Sequence, residues 1–192
     1  MTLSEYIRIF IDPQFSIGEK LPFPVSKHFF KKGTIITQIG EIEKFAYFLN
    51  EGIAEMSMIH DDNEVIVDFY FDDDFFSSYE SLLLDNVSLV QITALTDISV
   101  EKVLKLNLQN SYQTSLLANK IGRHATEKLY LKKIRRERNL LTMTSEQYYL
   151  DLINNRGKLI NKIPVNKIAK YLAIKPESLS RIRKHSFPNM RL

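Results

Sequence analysis

Close to the end of the chain, Glu177, Ser178, Ser180, Arg181, Arg183 and Lys184 fall within eight positions. Their chemistry is hydrogen bonding and charge neutralisation rather than bond breaking. A carboxylate, two hydroxyls, two guanidiniums and an ammonium are the groups that meet base edges and phosphate oxygens in nucleic-acid recognition. More cations stand just upstream at Lys167, Lys170 and Lys175. A solvated face of any basic helix has the same composition, so the spacing of the apolar residues has to decide.

That spacing predicts two short helices. Val165, Ile168, Ala169 and Leu172 recur at i, i+3, i+4 and i+7, one face of a helix. Ala173 and Ile174 form a tight break, and Pro176 restarts a helix at the first-turn position, where its missing N–H costs nothing. The second helix buries Leu179 and Ile182 and leaves the polar and basic residues on its other faces. This is the pattern of a helix-turn-helix, although a small helical bundle contains similar pairs. Upstream, Thr144 and Gln147 have capping-box spacing and open a helix carrying Tyr148, Leu152 and Ile153 that stops at Gly157. The expected unit runs from about Leu140 to Lys184. Charge supports a nucleic-acid partner: residues 1–109 hold 8 Lys/Arg against 18 Asp/Glu, and residues 110–192 hold 18 against 5. A net of −10 is thus followed by a net of +13, and phosphates favour only the second half.

With 192 residues, 44% hydrophobic and 26% charged, the chain can bury a sizeable core and has an ordinary globular composition. The absence of cysteine excludes disulfides, thiolate zinc sites and cysteine-ligated iron–sulfur clusters. No run is long and apolar enough to span a bilayer, and no leader pattern opens the chain. The expectation is a cytoplasmic protein with no membrane partner. Between about Lys27 and Leu104, short β-rich runs alternate with turn residues: 29–30, 34–37, 45–49, 53–59, 64–71, 89–94 and 98–104. This pattern predicts a barrel or sandwich, with 75–84 inserted as a short helix or loop. From about Leu106 to Arg138 the spacing predicts one helix of about 30 residues. Its stripe of Leu117, Ile121, Ala125 and Leu129, with His124 at the seam or the surface, would be covered by a twin helix. The alternative cover is the chain's own β-domain.

Lys32-Gly33, Gly40 and Asn50-Glu-Gly52 have the spacing of turn glycines in a cyclic-nucleotide-binding β-roll, and Glu177-Ser-Leu-Ser180-Arg181 matches the motif Glu-x-x-Ser-Arg. With these motifs in this order, the chain resembles the Crp/Fnr family of bacterial transcription regulators, in the short form found among Bacteroidetes. The resemblance implies an α+β fold in three parts: a double-stranded β-helix (β-roll or jelly roll) over 1–105, a dimerisation helix over 106–139, and a winged-helix-like helix-turn-helix over 140–192. It implies that Glu177, Ser180 and Arg181 contact base edges. Lys167, Lys170, Lys175, Ser178, Arg183 and Lys184 would then lie along the DNA backbone. The implied partners are a near-palindromic double-stranded DNA site, a second copy of the chain in a homodimer, and RNA polymerase. No cofactor is called for.

Three departures from the family pattern stand out. The turn carries Ala173 where glycine is usual, and Lys175 sits at an N-cap that favours an oxygen-bearing side chain. At the effector site, the family's Gly-Glu and Arg-Ser pairs align with Ser77-Ser78 and Ser88-Leu89, and no Lys or Arg occurs between Lys44 and Lys102. A cyclic phosphate there would lack its charge-assisted partner, so the pocket of Ser77, Ser78 and Ser88 reads as degenerate toward cyclic AMP. His28, His60, His124 and His185 lack metal-ligand spacing, and His60-Asp61-Asp62 and Asp72-Asp73-Asp74 read as polar turns. The aromatic group around Phe69 to Tyr79 reads as core. No catalytic constellation survives, so an enzyme is not expected. The competing reading is an effector-binding module whose basic C-terminal helices dock a protein.

Overall fold

The computed structural model describes residues 1–186; the expected short tail through Pro188 to Leu192 lies outside them. The chain opens with α1 (Leu3–Phe10), which the sequence reading did not anticipate. It starts on a capping box in which the Thr2 hydroxyl accepts from the Glu5 N–H and the Glu5 carboxylate accepts from the Thr2 N–H. Eight strands follow: β1 (Ser26–Phe30), β2 (Ile35–Thr37), β3 (Phe45–Glu51), β4 (Ala54–His60), β5 (Asn63–Tyr70), β6 (Phe75–Phe76), β7 (Gln91–Ala94) and β8 (Ile98–Leu104), with α2 (Tyr79–Leu84) between β6 and β7. They form two antiparallel four-stranded sheets, ordered β1-β8-β3-β6 and β2-β7-β4-β5. The jelly-roll expectation holds, and β6 is an additional strand within the segment read as a helix or loop.

Between the sheets, Leu49, Ile92, Ile98 and Val100 are essentially fully buried around Tyr47, Tyr70 and Phe76. The turn of β4 into β5 places Asp61 and Asp62 at φ 48° and 59°, a left-handed pair suited to a two-residue hairpin loop. Gly52 has φ +107°, and a Cβ there would lie 2.6 Å from the Asp97 carbonyl oxygen, so only glycine fits.

The expected single long helix is two. α3 (Lys105–Thr114) ends at Ser115, whose extended backbone (φ −127°, ψ 119°) breaks the run, and its hydroxyl caps α4 (Leu116–Thr142) by accepting from Ala118 N–H. α4 has 27 residues and spans about 40 Å. Its predicted stripe is used within the chain. Ala118 and Ile121, with Leu117 beside them, pack against Leu3, Tyr6 and Ile7 of α1 and against Phe48, while Leu129 packs on the inter-sheet core. The His124 ring lies 2.9 Å from the Tyr6 hydroxyl. The unforeseen α1 and the roll itself thus cover the face expected to meet a twin. The outward residues are Leu116, Tyr130, Leu131, Ile134 and Leu141, between 43% and 78% exposed.

The remaining helices are α5 (Ser145–Ile160), α6 (Val165–Tyr171) and α7 (Pro176–Ser186). The capping box of Thr144 and Gln147 forms as expected. Gly157, at φ 40° and ψ −117°, kinks α5 where the sequence predicted its end, and helix resumes to Ile160. No strand occurs among the described residues after β8, so the part expected to be winged is helical as far as it is described.

Candidate nucleic-acid interface

The helix pair α6–α7 is joined by a Schellman turn. Ala173 takes φ 56°. Its N–H reaches the Lys170 carbonyl at 3.2 Å, and the Ile174 N–H reaches the Ala169 carbonyl at 3.0 Å. These two bonds satisfy carbonyls that a helix end would otherwise orphan. Ile174 then folds back onto the core formed by Ile168, Ala169, Leu172 and the fully buried Leu179. The restart at Pro176 uses the Lys175 carbonyl, which accepts from Ser178 and Leu179 N–H. Lys175 contributes its backbone to this helix start, and its ammonium stays in solvent.

With Leu179 and Ile182 turned inward, α7 leaves Glu177, Ser178, Ser180, Arg181 and Lys184 exposed. Glu177 sits in the first turn, and Arg183, Lys184 and His185 in the last, which matches the helix dipole at both ends. Arg183 is half-buried: burial pushes the Tyr149 phenol up, and Arg183, hydrogen-bonded to it, works the other way. His185 pairs with Glu146 at 3.2 Å. The arrangement is a rigid helix presenting an acid, two hydroxyls and cations at helical spacing, the chemistry required for base edges and phosphates.

Lys167 and Lys170 are placed differently from expectation. Both turn from α6 toward the β-roll. Lys167 Nζ contacts Glu55 on β4 and lies 3.3 Å from Glu64 on β5; Lys170 Nζ lies 2.8 Å from Glu64. Burial works against ionisation of Glu64, but the two ammoniums together outweigh it and hold its carboxyl below the usual carboxylate range. Glu55 is more deeply buried, and desolvation pushes its carboxyl up despite Lys167. As the chain is folded here, both lysines are engaged by carboxylates of the roll, Lys167 at 20% side-chain exposure and Lys170 at 37%.

Arg136 on α4, which sequence reasoning missed, ties the same junction together. Its guanidinium donates to the Tyr171 carbonyl at 2.9 Å and to the Ile66 carbonyl at 3.3 Å, and it lies 3.9 Å from the centroid of the Tyr171 ring. Around it, Ile53, Ile66, Phe69 and Phe71 of the roll share one apolar cluster with Tyr148, Ile168 and Tyr171 of the C-terminal helices. A lone arginine in a run of basic residues carries no sequence signal that would separate it from its neighbours.

The predicted effector positions do come together. The Ser78 and Ser88 hydroxyls lie 2.7 Å apart, Ser88 also donates to the Val90 carbonyl at 2.6 Å, and Ser77 donates to the Phe45 carbonyl at 3.0 Å. Ser77 and Ser78 border a cavity of about 480 Å³ between the roll, α2 and α4. Its wall is mainly apolar, from Met56, Val67, Tyr70, Leu84 and Leu129, and its charged residues are Glu80 and Lys133. Asp72 to Asp74 also form more than a turn: Asp74 is buried beside Lys128 at 3.3 Å, and Asp73 binds the N-terminal ammonium at 3.0 Å. No cluster of three His, Asp or Glu suited to a metal ion occurs among the described residues, and none of their helices is long and apolar enough to cross a membrane.

A β-roll followed by a long helix and a helix-turn-helix defines a class, and known proteins share it. Residues 27–114 match the sequence model of the cyclic nucleotide-binding domain. Over most of its length it has the fold of Crp/Fnr transcriptional regulators. FixK2 from Bradyrhizobium japonicum superposes with a TM-score of 0.72 at 16% identity, covering 88% of each chain. TTHA1359 from Thermus thermophilus, a transcriptional regulator of the CRP/FNR family, gives 0.68 at 15%, covering 87% of this chain and 89% of that one. A CooA variant from Carboxydothermus hydrogenoformans gives 0.67 at 14%, covering 96% and 84%. No curated protein sequence matches the chain.

Proposed function

We propose that this protein is a sequence-specific DNA-binding transcription regulator of the Crp/Fnr type, not an enzyme, that works in the cytoplasm as a homodimer. The observation that carries the reading is the exposed face of α7, with Glu177, Ser180 and Arg181 at the spacing of the family's reading motif. In this reading those three side chains enter the major groove, while Lys175, Ser178, Arg183 and Lys184 lie along the backbone. The parts are the roll (1–105), the α3–α4 region (106–139) and the reading unit (140–192). The outward apolar residues of α4, with Leu116, Tyr130, Ile134 and Leu141 at its open face, would seat the second copy. Two-fold symmetry then sets half-sites about 34 Å apart on a near-palindromic duplex. RNA polymerase is a further partner of such regulators.

Cyclic AMP is not the effector in this reading. Ser78 and Ser88 hydrogen-bond each other where the family pattern puts an acid and an arginine, so a cyclic phosphate would lack the arginine of that pattern in a mainly apolar cavity whose one cation is Lys133 of α4. Micromolar binding of cyclic AMP in calorimetry would overturn that part.

The main test is selection of bound duplexes from a random pool, followed by Arg181→Ala. The variant should lose about 1–3 kcal/mol on the selected site and little on random DNA. Equal losses on both would remove Arg181 from base reading.

A further inference from the structure

The ammoniums of Lys167 and Lys170 are held by the roll's carboxylates. They stand at i and i+3 on α6, which puts both on one side of the helix. That side faces Glu55 on β4 and Glu64 on β5, which pair with Phe69 and Ile59 in the ladder and whose carboxylates both reach Lys167. Glu64 bridges both lysines, and Glu55, only 4% exposed, holds the first of them. The contact is reinforced by the Phe69–Tyr171 ring pair, 5.2 Å between centroids, and by Arg136 reaching carbonyls on both sides of the junction. In a helix-turn-helix the first helix crosses the DNA backbone, so the cations of α6 belong to the element that meets phosphates. A carboxylate that neutralises an ammonium and takes up its donors weakens that ammonium's attraction for a phosphate, so the roll and the DNA compete for the same two cations.

We propose that Glu55 and Glu64 act as a built-in competitor for DNA: an ionic latch in which the β4–β5 hairpin withholds Lys167 and Lys170 from phosphates, lowering DNA affinity until the hairpin lets go. The proposal rests on the DNA-binding reading above and adds its regulation. The latch grades binding without blocking it, because Glu177, Ser180 and Arg181 stay exposed while it is closed. It also gives the sensor roll a physical route to the reading unit: whatever displaces β4 and β5 releases positive charge onto the DNA-binding surface. By linkage, DNA must favour the released state to the same degree.

The test uses the full-length protein and two labelled duplexes, the selected site and a random sequence, titrated across KCl concentrations. Glu64→Gln frees Lys170 and should steepen the slope of log affinity against log salt by about 0.9. Glu55→Gln with Glu64→Gln frees both lysines and should steepen it by about 1.8, so that affinity falls about tenfold further than wild type between 50 and 200 mM salt. Affinity at low salt should rise on both duplexes, because phosphate contacts carry no sequence information. Adding Lys170→Gln to Glu64→Gln should cancel the gain, and Glu41→Gln, an exposed acid outside the junction, should not reproduce it. Glu64 is partly exposed, so its single variant keeps the test alive if the double variant fails to fold. Unchanged slope and affinity in Glu64→Gln, with DNA binding intact, would overturn the latch. Weaker binding would overturn it too, since the contact would then be supporting the working orientation. If neither wild type nor variant binds any duplex at low salt, the DNA-binding reading fails and the latch falls with it.

Discussion

Ala173 offers the sharpest test of the reading unit's geometry. It occupies the left-handed position of the Schellman turn at φ 56°, where the Cβ of an L-residue crowds the carbonyl oxygen. That conformation costs alanine about 1–2 kcal/mol, and glycine escapes the penalty. Glycine also gains more freedom in the unfolded chain, which offsets about 0.5–1 kcal/mol of the benefit. Ala173 is exposed, so deleting its methyl opens no cavity. Ala173→Gly should therefore stabilise the protein by about 0.5–1 kcal/mol, and for a chain of this size that is about 1–4 °C in Tm. Calorimetric or circular-dichroism melting reads it directly. Ala173→Val, β-branched in the same conformation, should move Tm the other way. A glycine variant no more stable than wild type would mean that the turn is not left-handed, and the Schellman hydrogen bonds assigned to Ala173 and Ile174 would be wrong.

Other consequences follow from the junction and from α4. Arg136→Lys keeps the charge but loses the planar fork that spans the Tyr171 and Ile66 carbonyls and the stacking on Tyr171; urea unfolding should show a loss of about 1–2 kcal/mol, and an unchanged midpoint would remove Arg136 as a tie. Burial, aided by Lys128, holds the His124 imidazole below its ordinary value, so its NMR titration midpoint should lie below the usual histidine range, and one at or above it would contradict the packing against Tyr6. Glu64 has its folded pKa lowered, so its stabilisation is present above the ordinary carboxylate range and lost as pH falls through the folded value. Because the pair is partly exposed, Glu64→Gln should cost only about 0.5–1 kcal/mol at neutral pH. The gap from wild type should shrink on acidification; a constant gap would refute the ionic contribution.

Local patterns made much of this fold legible. The strand runs, the Thr144 capping box and the apolar spacing of Val165 to Ile182 each depend on neighbours a few residues away, and each appears where periodicity puts it. The break between α3 and α4 turns on one serine cap at Ser115, and a serine inside a helical pattern is usually tolerated there. α1 had a sequence signature, Thr2 followed by Glu5 at capping-box spacing, but eight residues carry too little periodicity to show which surface they cover. The use of the α4 stripe was hidden for the same reason. A stripe records that something apolar must cover it, and the identity of the cover is a long-range property.

Charge is where local reasoning and the three-dimensional structure part. The acidic first half and basic second half led directly to a nucleic-acid partner, on the premise that the second half keeps its cations for that partner. Among the described residues, Lys120, Lys128, Lys132, Lys167 and Lys170 of the basic half instead pair with acids of the first half: Asp12, Asp74, Asp68, Glu55 and Glu64. Part of the asymmetry therefore fastens α4 and α6 to the roll. Ions so placed hold a geometry at small net gain, because each gives up water to make the pair. Their value lies in specifying which faces meet and, for Lys167 and Lys170, in being exchangeable for an external anion. Of the cations on the α6–α7 pair, Lys175, Arg181 and Lys184 are left facing outward while Arg183 is half-buried beside Tyr149, so the reading surface of the closed chain is narrower than its composition implies. It widens only if the roll gives up its share.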